Sequence, residues 1–158
     1  VNPMISRRAR KPASRQAPRK VLTKAMLLPP TPESARELSL RNHMVVAACS
    51  SGAGSRALLR ELFAVACLSY FLRDAGFFAA PDTLYHDVQR VLEHCVACCA
   101  SADTWAVDEH DGAALAALIS VYDQQFAAAP MYVMDGARKR LLRLANGEWR
   151  FPWQPRPA

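Results

Sequence analysis

Ser55 to Gly76 reads SRALLRELFAVACLSYFLRDAG, and the fold follows from how it distributes its apolar residues. From Leu62 to Leu72 there is no charge. At about 100° per residue, Leu58, Leu62, Leu59, Phe63, Phe71, Leu68, Leu72 and Val65 fall on every side of the wheel. A helix apolar all round is buried, in a protein or in a membrane. This charge-free run is well short of the roughly 20 residues a bilayer requires, and Arg56, Arg60, Glu61, Arg73 and Asp74 mark its ends. It predicts the central helix of an all-α bundle of about five helices.

Outward from that helix, the signals agree. Thr31-Pro32-Glu33 supplies an N-cap, a proline at N1 and an acid in the first turn. Ser34 and Glu37 give a second capping-box register. The helix they open runs to Cys49, with Leu38, Val45, Ala48 and Cys49 inward, and SSGAG breaks it. Ser55 caps the central helix and Gly76 sits at its C′ position. Asp82 reads as the N-cap of a helix reaching Ser101, where Leu84, Val88, Val91, Leu92, Cys95 and Cys99 fall within about 100° of arc. After a loop holding Trp105, tucked against the bundle, Leu115, Leu118, Ile119, Tyr122 and Phe126 share one face. Pro130 reads as N1 of a last helix ending near Ala145. Met134, Ala137, Leu141 and Ala145 lie inside it, and Tyr132, Lys139, Arg140 and Arg143 outside. The domain therefore spans 31–147, and 148–158 reads as an aromatic, proline-broken tail.

The chain has 158 residues, a one-domain length. Its net charge of +6 is unevenly placed. Eight of the twenty Lys and Arg are Arg7, Arg8, Arg10, Lys11, Arg15, Arg19, Lys20 and Lys24, and no acid precedes Glu33. Residues 1–30 hold five prolines and almost no large apolar residue before Val21. Such a segment cannot offset its conformational entropy by burial, so 1–30 is predicted to be a disordered basic arm. Arms of this kind bind nucleic acid through phosphates and counterion release, without reading sequence. A solvated extension and an Arg-rich targeting peptide are the competing readings. Val1 reads as a non-AUG start, with Met4 or Met26 as later initiators. With no apolar stretch of signal-peptide length behind the basic start, five cysteines fit reduced thiols in the cytoplasm.

Three groups invite chemistry. His94, Cys95, Cys98 and Cys99 could form half of a tetrahedral metal site, but a second pair at comparable spacing is missing. Cysteine on an apolar arc behaves as a small hydrophobe, so core packing is the expectation and no metal or other cofactor is predicted. Ser51-Gly52-Ala53-Gly54-Ser55-Arg56 precedes a helix start, as an anion site would. It lacks the preceding strand and the Gly-Lys-Ser/Thr ending of a phosphate loop, and reads as an interhelical turn. Asp108, Glu109, His110 and Asp111 crowd another helix start, where the helix dipole favours acids. No catalytic residue is predicted.

The stretch LSLRNHMVVAACSSGAGSRALLRELFAVACLSYFLRDAGF, preceded by RKVLTKAMLLPPTP, is similar to short bacterial proteins grouped under the Fis family of transcriptional regulators. The resemblance covers residues 10–80 and implies DNA binding through a C-terminal helix-turn-helix. The segment Ser51 to Leu59 resembles the turn and Ala-rich helix of that motif. A recognition helix needs polar side chains free to reach base edges, whereas this chain continues FAVACLSYFLRDAG. The expectation is therefore a non-enzymatic accessory or regulatory protein that binds nucleic acid nonspecifically through Arg7–Lys24, assisted by Lys139, Arg140 and Arg143. A protein-interaction adaptor and a Cys-cluster metal-binding bundle are the alternatives. No membrane partner is expected.

Overall fold

Every regular element is a helix in the computed structural model, which describes residues 21–99, 107–147 and 150–154. In chain order these are α1 (Lys24–Leu27), α2 (Pro32–Ser50), α3 (Arg56–Asp74), α4 (Asp82–Cys99), α5 (Glu109–Ala128) and α6 (Met131–Ala145). The count exceeds the expected five by α1, a single turn. The expected arm therefore does not stay unstructured to residue 30: the Met131 N–H donates to Leu28 O at 3.0 Å, and α1 packs on α6.

The caps follow the sequence. Thr31 Oγ1 accepts the Ser34 N–H at 3.3 Å, and Ser55 Oγ accepts the Leu58 N–H at 3.3 Å. Gly52 and Gly76 take φ of +79° and +89°, backbone that a Cβ disfavours, so each ends its helix. Two boundaries shift. Asp82 lies inside the first turn of α4 rather than capping it; its carboxylate pairs with Arg73 instead. Pro130 is the N-cap of α6, not N1, because its ψ of 149° is still extended.

α3 is the hub: it packs against α2, α4, α5 and α6. Leu62, Leu72, Ala66, Cys67 and Ser69 are almost wholly buried. α5 adds Leu115, Leu118, Ile119, Tyr122 and Phe126, α4 adds Val88, Val91, Leu92 and Cys95, and α6 adds Met134 and Ala137, all buried. Leu38, Ala48, Leu84 and Leu141 are only half-buried. Ala145, expected inside, is exposed, and Leu144 beside it packs against the core instead. Trp105 and Ser101 lie outside the described residues, as does the side chain of Cys99.

The C-terminal segment departs furthest from expectation. Phe151 is buried, and its ring lies 5.0 Å from Phe63 and 4.9 Å from Trp153. Trp153 stacks 5.2 Å from Tyr70 and 5.3 Å from Tyr85, and its indole N–H donates to Gln89 Oε1 at 2.7 Å. The Arg73 guanidinium covers Tyr70 and Tyr85 at 4.5 and 4.9 Å. Residues 151–153 are part of the packed domain, returning across α3 and α4. A second device ties the α3–α4 turn: buried Gln125 donates its amide to Ser69 O at 3.1 Å and Phe77 O at 3.2 Å.

Candidate nucleic-acid interface

Of the eight cations of the arm, Lys24 alone falls on described residues; Arg7, Arg8, Arg10, Lys11, Arg15, Arg19 and Lys20 lie outside them. Lys24 opens α1 and is exposed. Because α1 docks on α6, the root of the arm is fixed beside the helix that carries the second set of cations. Exposed Val21, Leu22, Leu27 and Leu28 flank it.

That second set is less available than its outer position suggests. Lys139 Nζ sits 2.7 Å from Asp135, one turn back on α6. Arg140 bonds Asp74 at 3.1 Å and lies 4.0 Å over the Phe71 ring. Its role is to dock α6 on α3. Arg143 Nε donates to Lys139 O at 3.3 Å, leaving an exposed cation near the end of the helix. Arg143 is thus the best placed of the three to meet a phosphate, Lys139 comes next, and Arg140 is committed to the fold.

The described cysteines of the cluster do not converge. Cys95 is buried in the core while Cys98 points outward. His94 turns instead toward Asp111, with Nδ1 3.7 Å from its carboxylate. Among the described residues no group of three His, Cys, Asp or Glu is placed to hold a metal ion. Burial pushes the Cys67 thiol up to about 12 and raises Cys49 as well, which keeps both as unreactive thiols.

Asp108 caps α5 by accepting the Asp111 N–H at 2.7 Å. Asp111 itself is buried, and Arg90 of α4 reaches it at 3.1 Å. This acid cluster therefore joins α4 to α5 as well as serving the helix start. The Ser51–Arg56 turn does its predicted work as a connection.

One polar constellation had no signal in the sequence. Ser39 Oγ donates to Asp123 Oδ2 at 2.6 Å, and His43 Nε2 meets the same oxygen at 3.1 Å. Both partners converge on the carboxylate, so serine and histidine are not arranged as nucleophile and base; the group clamps α2 to α5. Beside it, Leu40 and Met44 stand out from α2, each 63% exposed. They edge a groove of about 500 Å3 between α2 and α3, whose floor includes Val45, Ala48 and Leu58.

No family model, no curated protein and no solved structure matches this chain.

Proposed function

We propose that the protein is a non-enzymatic accessory or regulatory protein of the bacterial cytoplasm that binds nucleic acid nonspecifically through Arg7–Lys24. The observation that carries this reading is the charge asymmetry: eight cations and no acid in the first 24 residues, against twelve cations and fourteen acids after them. Cationic charge of that density follows a phosphate backbone by displacing condensed counterions. The docking of α1 on α6 supports it further, because the arm is rooted on the helix that carries Lys139 and Arg143. None of the described helices is long and apolar enough to cross a membrane.

Sequence reading by α3 is not part of the proposal. A helix packed on four others, with Leu59, Leu62, Val65, Leu68, Phe71 and Leu72 buried, cannot lie along a major groove. The test compares the full chain with one lacking residues 1–20 on two duplexes of unrelated sequence. Equal affinity for both duplexes, lost on truncation, is expected. A strong preference for one duplex that survives truncation contradicts the reading.

A second reading, a protein-interaction adaptor, is favoured by one observation: the apolar groove between α2 and α3. It needs no role for the arm.

A further inference from the structure

Two aromatic rings are exposed among the described residues: Phe78 in the α3–α4 turn and Tyr132 on α6, the latter 42% accessible. A lone exposed ring is ordinary; what sets Tyr132 apart is where it stands. Tyr132, Gly136, Lys139 and Arg143 follow each other along α6 at spacings of four, three and four, which puts them in one line on the helix surface. All four are exposed. A Cβ at Gly136 would meet nothing within 4 Å, so the backbone between the ring and the cations is bare. The line begins at the root of the arm. Met131, next to Tyr132, donates its N–H to Leu28 O at 3.0 Å, and α1 with Lys24 packs on the same helix. From Tyr132 to Arg143 is about 16 Å at the ~1.5 Å rise of a helix.

We infer that this line seats single-stranded nucleic acid, with one base stacked on Tyr132 and the phosphates beyond it on Lys139 and Arg143. The inference rests on the nucleic-acid reading above and names its substrate class. The arm supplies charge but no ring, since residues 1–24 hold no Phe, Trp or Tyr. Charge alone does not select a single strand. A ring on the outer flank of a helix has no use on a duplex, whose bases are closed in their stack. The bases of a single strand each offer a π-face. The bare backbone at Gly136 leaves room for a base lying against the ring. A line of about 16 Å admits roughly five nucleotides at the ~3.4 Å spacing of a stacked strand. Asp135, the acid beside the line, is held by Lys139 at 2.7 Å, so it does not face the strand as an unbalanced charge. Arg143 adds the net cation at the far end. Stacking of this kind tolerates any base, in keeping with an arm that reads no sequence.

Binding by the full chain is measured by fluorescence anisotropy at one salt concentration on two probes of about 20 nucleotides, a thymidine homopolymer and a mixed-sequence duplex. Tyr132→Ala and Tyr132→Leu should each weaken homopolymer binding about tenfold, as the loss of one stacked base does, and leave duplex binding unchanged. Tyr132→Phe keeps the ring and should bind as the wild type does. The leucine variant separates stacking from packing, because it keeps an apolar side chain and lacks a π-face. Leu142→Ala, exposed on α6 off the line, should change neither. With 5-iododeoxyuridine in place of thymidine, the photocrosslink should map to Tyr132. Homopolymer binding that Tyr132→Leu leaves unchanged, or weakens no more than duplex binding, overturns the inference. A crosslink confined to other residues overturns it equally. Each of these can occur while salt-dependent duplex binding through the arm stands, so the inference then fails alone. A full chain that binds neither probe removes the nucleic-acid reading and this site with it.

Discussion

Arg140 of α6 bonds Asp74 at the end of α3, 66 residues earlier, at 3.1 Å. The same guanidinium covers the Phe71 ring, so a residue on the outer face of α6 holds two helices together. The pair is partly exposed, with side chains 44% and 37% accessible, and solvent screens it. Arg140→Ala should cost about 1 kcal/mol, mostly from the lost stacking on Phe71. Urea unfolding measures this. DNA affinity should change little, unlike the response to losing the arm.

Trp153 closes the aromatic cluster from the far end of the chain. Trp153→Ala removes ring contacts with Tyr70, Tyr85 and Phe151 and leaves Gln89 without its indole donor. The residue is half-buried, so a loss of about 2–3 kcal/mol is expected, toward the low end for aromatic truncation. A change below about 0.5 kcal/mol in the urea midpoint would mean that the C-terminal return is not part of the cooperative unit.

Gln125→Leu tests the clamp on the α3–α4 turn. The substitution keeps approximate volume but strips the amide donor from Ser69 O and Phe77 O. Phe78, in the same turn, holds a φ of +48°, unusual for a bulky residue. The expected cost is about 1–3 kcal/mol for a buried acceptor left unsatisfied, with faster amide exchange across residues 76–80. Exchange there that is unchanged contradicts the clamp.

Alkaline pH should unfold the protein early. Burial pushes both the Cys67 thiol and the Tyr122 phenol up to about 12, from 9.0 and 10.0. Each group holds its proton more tightly folded than unfolded. Their stabilisation is thus complete below about pH 9 and is lost as pH rises from 9 toward 12. Urea midpoints between pH 7 and 11 should be flat and then fall. Cys67→Ala, though destabilising at neutral pH, should soften the start of that fall.

Helices, caps and the core stripes were legible because their causes are local. Thr31, Ser55 and Asp108 sit next to the N–H groups they satisfy, and Val88, Val91, Leu92 and Cys95 show their burial through period alone. Arg140 with Asp74, Trp153 with Gln89, and Asp123 with Ser39 and His43 join residues 64 or more positions apart. No periodicity announces such pairs. This is why Arg140 reads from sequence as a free surface cation and residues 151–153 as a loose tail. Of the candidate interface, the charge of the arm was legible, but its fixed root on α6 was not. The five residues 26–30, Met-Leu-Leu-Pro-Pro, resemble a linker until Met131 supplies a partner for Leu28.

The central claim, phosphate binding by the arm, is tested most directly by how duplex DNA affinity varies with salt. Each phosphate neutralised contributes roughly 0.9 to the slope of log affinity against log salt. If half to three-quarters of the eight cations engage, the slope is about −4 to −5 for each arm on the duplex. Deleting residues 1–20 removes seven of the eight cations and keeps α1 on α6. The slope should then become no steeper than about −2.7, the most that Lys24, Lys139 and Arg143 can contribute. An affinity indifferent to salt in the full chain, or a slope that deletion leaves unchanged, contradicts the account.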